Sequence, residues 1–418
     1  MFHRALVLFV VLLASTLVGA SRPDAAGPPA DEVRALWVVR DSLTNAASIA
    51  RLVEDARRSG FNTLLVQVRG RGDAYYRSTL EPRAHTLAGQ PASFDPLATT
   101  LDLARAAGLA VHAWVNVNLV ASAQMLPSAR DHIVNRHPEW LMVPRALAQE
   151  LWATPPKGPG YVGRLARWTR AQDDAVEGLY ASPLVPEAAD HVVSVVDDLV
   201  RRYELDGVHF DYVRYPGVEF DYSRAALQAF RDLMAPLVPA PDRARLDART
   251  ADDVLAWADA YPEAWAAFRR TRLTALVLRL ARAVRQVRPT AVLSAAVLPD
   301  ADVAASTRFQ EWPLWAANGL LDVVCPMAYT TDAGVFAAQV GQAVRLATPA
   351  RVWAGIGAYR LAAAATAARI ETARSAGADG IVLFSYDTIA GAPDRGDYLD
   401  IVRRTAFGTA AVAGAGGR

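Results

Sequence analysis

At 418 residues the chain can hold one large domain or two ordinary ones, and a single α/β barrel of about 250 residues with insertions falls within that range. Hydrophobic residues at 52% and charged residues at 21% are compatible with an ordinary globular core. The 44 basic and 43 acidic residues give a net charge of +1 with no basic block to follow a phosphate backbone, which argues against nucleic acid as a partner.

The chain opens with MFHRALVLFVVLLASTLVGA, where His3 and Arg4 precede an apolar run from Ala5 to about Gly19. Val18 and Ala20 fit the small-residue positions before a cleavage site, so residues 1–20 are expected to be a secretory signal peptide. An uncleaved membrane anchor is the alternative, but a run of about 15 is short for a spanning helix. No stable membrane anchor is therefore expected after cleavage, and the mature protein is expected in the periplasm or outside the cell. Cys325 is the only cysteine, so no intramolecular disulfide can form and a large core has to supply the stability. SRPDAAGPPA at 21–30 has linker composition, 31–405 is expected to form the domain, and 406–418 to be a frayed, disordered tail.

Between these ends lie eight β-type runs: ALWVV (35–39), NTLLVQVR (62–69), AVHAWVNVN (110–118), GVHFDYV (207–213), VLSAAVLP (292–299), LDVVCPMAY (321–329), RVWAGIGAY (351–359) and GIVLFSYD (380–387). The first two start 27 residues apart and the last four at intervals of 29, 30 and 29, room for a strand, a helix and two loops. SIARLVEDARRSG puts Ile49, Leu52, Val53 and Ala56 on one helical face and stops at Gly60. DPLATTLDLARAAG starts with an Asp cap and Pro at the first helical position, and stops at Gly108. Eight such units predict a (β/α)8 TIM barrel with long insertions after strands 3 and 4, at 119–190 and 217–272. Such excess usually builds lids or cleft walls on the active face. Within the first insertion, Trp140 and Trp168 could serve a sugar-binding rim or the insertion's own packing.

Alternation along the strands predicts where side chains go. Val208, Phe210 and Tyr212 oppose His209, Asp211 and Val213; Val111, Ala113, Val115 and Val117 oppose His112, Trp114, Asn116 and Asn118; Leu64, Val66 and Val68 oppose Leu65, Gln67 and Arg69. The polar sets should face the barrel axis and converge near the C-terminal strand ends, where barrel enzymes keep their chemistry. Asp211 would then lie in a cleft floor close to Arg69, His112, His209 and Asn116, kept ionised by hydrogen bonds and cationic neighbours, as a nucleophile or base. Pairing with Arg214 or Arg69 in a purely structural role is the competing expectation. A glycosidase usually needs a second carboxylate, and Asp300, Asp332 and Asp387 at strand ends are candidates. GIGAY keeps the interior of the seventh strand small, either to admit a ligand or to ease packing.

RALWVV, NTLLVQVRGRGDAYYRS, FDPLATTLDLARAAGLAVHAWVN, HPEWL, DGVHFDYVRYP, LLDVVCPMAY and GIVLFSYD, in this order from about Arg34 to Arg404, resemble the bacterial glycosyl-hydrolase-like proteins known as family 10 glycosylhydrolases, distinct from the xylanases of similar label. The resemblance implies an exported barrel hydrolase of glycosidic bonds, with cell-wall (peptidoglycan) glycan strands as the substrate class of some members. By motif, Gln67, Arg69, Asp73, His112, Trp114, Asn116, His209, Asp211 and Tyr329 would line its cleft, with Arg214, Tyr215 and Asp387 beside them. Members often carry a second acidic residue after the fourth-strand aspartate; Tyr212 stands there in this chain, so the acid is not carried over and is sought among Asp332, Asp300 and Asp73. The fourth strand is also similar to the chitinase motif DG-x-D-x-D-x-E, but His209 replaces its middle Asp and Val213 its catalytic Glu. No cofactor is expected. Two other functions stay open: a glycan-binding barrel without catalysis, and a metal site on His112, His209 and Asp211 for hydrolysis or deacetylation.

Overall fold

Eight parallel strands close into a barrel in the computed structural model, which describes residues 31–158, 160–390 and 396–408. They are β1 (Val33–Val38), β2 (Thr63–Arg69), β3 (Ala110–Asn116), β4 (Gly207–Asp211), β5 (Val292–Val297), β6 (Val323–Ala328), β7 (Arg351–Ile356) and β8 (Gly380–Phe384). Each pairs with the next in sequence, and β8 closes on β1. All eight expected runs are strands, most of them ending two or three residues sooner than the apolar runs do, because the chain turns into the loops of the C-terminal face.

The helix signals act as their chemistry dictates. Asn45 caps helix Ala46–Arg58 by accepting from the Ser48 N–H, and Gly60 takes the left-handed φ of +80° beyond its end. Asp95 caps Pro96–Ala106 through the Ala98 N–H, and Gly108 follows at φ +71°.

Two apolar layers hold the barrel. Outward residues such as Leu64, Val66, Val111, Val115, Val208 and Phe210 are fully buried against the helices. Burying each contributes roughly 1.5–3 kcal/mol, before the entropy of ordering is counted. Inward residues Trp37, Leu65, Trp114, Cys325, Trp353 and Val382 pack on one another along the axis. The alternation therefore holds on both faces.

Both insertions carry small cores of their own. The first, after β3, makes a two-strand antiparallel ladder from Leu119–Ala121 and Leu179–Tyr180 and encloses Val120, Ile133, Leu141, Leu151 and Leu165. Its Trp140 stacks on His137 at 3.9 Å and Trp168 packs edge-on against Phe220, so both serve packing. The second packs Phe230, Leu246, Trp257, Trp265 and Phe268 together. Its expected end at 272 falls inside a helix, since Pro262–Val287 is continuous. Arg145 and Asp259 join the two insertions at 2.7 Å.

The tail boundary also moves. Ala406 and Phe407 are buried, Phe407 packing edge-on against Phe61 at 5.3 Å and under the Arg34 guanidinium, so the folded domain runs past 405. Residues 1–20, 21–30 and 409–418 lie outside the described residues. Among the described residues no helix is long and apolar enough to cross a membrane.

Candidate functional site

Asp211 ends β4 and stands in the floor of a cavity of about 330 Å³ at the C-terminal face. Its Oδ1 accepts from the Tyr212 backbone N–H at 2.6 Å and from Arg214 Nη1 at 2.9 Å, while its carbonyl accepts from the Val117 N–H at 2.7 Å. Tyr212 holds a left-handed φ of +51°, uncommon outside glycine and costing of order 1–3 kcal/mol. Here the aspartate's hydrogen bond and the stacking of Arg214 over the Tyr212 ring at 4.1 Å hold that conformation.

Arg214 connects two carboxylates. Its Nη2 lies 3.8 Å from Glu177 Oε1, and Glu177 Oε2 accepts from the Tyr180 hydroxyl at 2.6 Å. Glu177 is half-exposed just ahead of the ladder strand Leu179–Tyr180, whereas Asp211 is nearly buried. Burial, reinforced by Asp211, Cys325, Tyr359 and Tyr212 nearby, pushes the Tyr329 phenol well above its ordinary range. That phenol stays protonated.

Aromatic rings line the rest. Trp37, Trp114, Tyr329 and Phe384 face the cavity, Tyr329 stacking on Phe384 at 5.4 Å and meeting Trp37 edge-on at 6.2 Å. Gln67, Arg40 and Arg71 complete one wall. Through Arg40 and Arg71 the cavity adjoins a second of about 510 Å³, walled by Met125, Leu126, Pro127 and His132 of the first insertion. An apolar, ring-lined pocket with a few polar groups suits a sugar, whose ring faces are apolar and whose edges carry hydroxyls.

Of the residues expected at the site, Gln67, Trp114, Asp211, Arg214 and Tyr329 line this cavity, and Asp73 lines the adjoining one. The others are placed elsewhere for identifiable reasons. Arg69 turns away from the axis at an irregularity in the β2–β3 register between Gln67 and Arg69, and its guanidinium forks onto Glu81 at 2.6–3.0 Å. It also donates to the carbonyls of Asn116 and Val117. Asn116 donates to the Gly70 carbonyl.

His209 and His112 lie deeper, within the packed barrel. His209 Nε2 accepts from the Trp37 indole at 3.0 Å, so its Nδ1–H donates to Ser294 Oγ at 2.9 Å. Burial, with His112 nearby, pushes the His209 pKa down to about 3; burial and then Arg351 push that of His112 down to about 4. Both are neutral, and both nitrogens of His209 are engaged within the protein. Among the described residues no cluster of three metal-ligating side chains exists, so the alternative of a metal site on His112, His209 and Asp211 finds no support.

Tyr215 is fully buried against Phe309. Asp387 accepts from the Val39 N–H at 2.7 Å and from the Ser42 hydroxyl, tying the end of β8 to β1. Asp300 and Asp332 cap helices Ala301–Thr307 and Ala333–Leu346, accepting from Val303 and Val335 N–H groups, and neither lines the cavity. The glycines of β7 make room for protein. A Cβ at Gly355 would sit 2.6 Å from the Pro326 carbonyl and 2.9 Å from Trp37, and one at Gly357 3.0 Å from Tyr329.

Sequence reasoning missed Trp37, Phe384, Arg40, Arg71 and Glu177. Alternation in β1 and β8 would have found the first two. The arginines each follow a strand end by two residues, and Glu177 reaches the site only through the ladder.

Residues 32–368 match the family model described as Glycosyl hydrolase-like 10. Among curated proteins, "Glycosyl hydrolase YngK" of Bacillus subtilis is 25% identical over 259 residues, covering 55% of this chain and 44% of that one. "Glycosyl hydrolase DigH" of Escherichia coli is 28% identical over 225 residues, 48% of this chain and 46% of that one. The matched region thus spans less than half the length of either relative. Among solved structures, the PgaB (BpsB) glycoside hydrolase domain of Bordetella bronchiseptica superposes with a TM-score of 0.61 at 16% identity, covering 89% of this chain and 99% of that one. A β-galactosidase of the psychrophilic Marinomonas ef1 gives 0.60 at 13% identity, covering 90% and 59%. At these identities the likeness establishes the fold.

Proposed function

Because the chain belongs to the glycosyl hydrolase-like 10 family, we propose that its cleft hydrolyses glycosidic bonds of a polysaccharide, with bacterial cell-wall glycan strands as the substrate class. Asp211 serves as nucleophile or base. The observation that carries this is the pair of carboxylates, Asp211 in the floor of an aromatic-lined cavity and Glu177 beside it, both held by the one guanidinium of Arg214.

Glycosidases use one carboxyl to protonate the leaving oxygen and another to attack the anomeric carbon or activate water. Glu177, half-exposed and joined to the cavity wall through Arg214, takes the acid role; Asp300 and Asp332 are engaged as helix caps instead. Asp211 takes the other: Arg214 and the Tyr212 N–H occupy its Oδ1, and Oδ2 is left for the substrate or its water. The Arg214 guanidinium offsets charge as it shifts between the two carboxyls. The apolar N-terminus, which has the composition of a signal peptide, supports export to where such strands are found.

The test incubates the purified protein with isolated glycan strands, with and without stem peptides, beside chitin oligomers, and follows new reducing ends by mass spectrometry. Products should form with wild type and vanish with Asp211→Asn. Saturable binding with no products from wild type would replace hydrolysis with a glycan-binding barrel.

A further inference from the structure

Arg40 and Arg71 line both the Asp211 cavity and the adjoining groove, and among the described residues neither forms an ion pair. Arg40 Nη1 donates to Gln67 Oε1 at 2.8 Å, and its stem packs over Gly70. Arg71 Nη1 reaches only the Gly70 carbonyl at 3.3 Å, and its Nε is buried without any partner. Most N–H donors of the two guanidinia are thus unspent at the place where the cavities meet. The two cations are close enough that Arg40, after burial itself, depresses the pKa of Arg71.

Leaving a buried donor such as Arg71 Nε unpaired is costly, the more so for a charged group. A protein normally places a carboxylate beside such a pair. The acidic residues of the adjoining groove do not take that role: Asp73 Oδ1 accepts from the Arg71 backbone N–H at 2.9 Å, and neither Asp73 nor Asp41 pairs with either guanidinium. Among the described residues lining the Asp211 cavity the one carboxylate, Asp211, is already paired with Arg214, as is Glu177 beside it. The wall that meets a substrate therefore carries two positive charges with no ion pair among the described residues, Asp73 acting on Arg71 only through space.

We propose that Arg40 and Arg71 form a carboxylate site that selects an acidic sugar residue, seated beside the bond held over Asp211. This rests on the hydrolase reading only for what the neighbouring sugar is doing there; the anion site stands on the two guanidinia. A planar carboxylate fits a guanidinium fork through two parallel hydrogen bonds, which is why arginine rather than lysine is suited to the task. The carboxylate could be that of a hexuronate ring or of a lactyl ether on an amino sugar.

Four tetrasaccharides distinguish the cases: neutral N-acetylglucosamine tetramer, its analogue with 3-O-lactyl ethers on alternate sugars, that analogue with its carboxyls amidated, and a galacturonate tetramer. Binding to the whole protein is followed by fluorescence of the cavity tryptophans Trp37 and Trp114. At least one acidic tetramer should bind about tenfold or more tighter than the neutral one, since a hydrogen bond to a charged group is worth about 1.5–3 kcal/mol. Which acidic tetramer wins identifies the source. Amidation should remove the preference of the lactyl form, and Arg40→Gln and Arg71→Gln should each weaken the preference and together abolish it, while Arg71→Lys, which keeps the charge, retains part. Equal affinity for neutral and acidic tetramers, or a preference that survives the double variant, overturns the inference. If acidic tetramers are preferred but no glycan is cut, the carboxylate site stands and the hydrolase reading falls; if neutral strands are cut with no preference, the reverse holds.

Discussion

Replacing Glu81 by Gln should destabilise the protein by about 3–5 kcal/mol, the usual cost of leaving one member of a buried ion pair without its partner. Glu81 and Arg69 are both fully buried, Glu81 accepting from Arg69 Nε and Nη2 and lying 3.3 Å from His191 Nε2. Burial alone would raise the Glu81 pKa, but Arg69 and His191 overcome it and hold the carboxyl down at about 2. Since the folded pKa lies below the ordinary value, the stabilisation is complete above about pH 4.5 and is lost as pH falls through about 2. Gln preserves the shape and one acceptor, so the loss reports the charge. In the double variant Arg69→Met/Glu81→Leu no stranded ion remains. What is lost is the pair of bonds from Arg69 to the Asn116 and Val117 carbonyls, about 0.5–1.5 kcal/mol each. Urea unfolding at pH 7.5 measures both. The reasoning fails if Glu81→Gln costs under about 1 kcal/mol, or if the double variant is less stable than the single. Because the Val117 N–H holds the Asp211 carbonyl, Glu81→Gln should also slow glycan cleavage without touching the substrate.

The buried neutral histidines set a second pH dependence. The unfolded chain takes up protons at His112 and His209 below about pH 6.5 whereas the folded protein does so only near 4 and 3, so stability should fall as pH drops through that window. His112→Leu should flatten the fall in urea midpoint between pH 6.5 and 4.5, and an unchanged slope would refute its part. Glu177→Gln should lower cleavage of ordinary strands by 10²–10⁴-fold, the range of general acid catalysis, yet spare substrates whose leaving group needs no proton, such as an activated aryl glycoside; Asp211→Asn should abolish both. Equal losses on both substrates in Glu177→Gln would deny it the acid role. Gly355→Ala drives a Cβ against the Pro326 carbonyl and Trp37, and should cost about 1–3 kcal/mol by thermal or urea unfolding while raising KM through displacement of the cavity floor.

The barrel was legible because both of its faces are written by alternation: Val208 and Phe210 outward, His209 and Asp211 inward, in the strand as in the sequence. Depth along the axis was not. A strand shows which side a residue faces but not which layer it joins, and His112 and His209 were expected in the cleft although they lie in packed layers below it. Arg69 was misplaced for another reason, since one irregularity in β2–β3 pairing re-aims it and nothing in QVR announces that. The aspartates after strands 5 and 6 carry the same local pattern whether they cap a helix or serve chemistry, and here they cap. Glu177 sits far in sequence from Asp211, and only tertiary pairing brings the two to one arginine.

That pairing separates two properties that barrel enzymes usually vary together. Glu177 stands at the foot of the ladder, one residue before Gly178, whose missing side chain lets the returning strand pass against the Ala121 carbonyl, where a Cβ would come within 2.1 Å. The ladder keeps the carboxylate in register with the barrel, while the later part of the chain between its strands is anchored to the second insertion through Val143 and Arg145. Variation in the groove-wall stretch 122–132 thus changes groove width and ligand preference while the position of Glu177 is inherited from the two strands that close the segment.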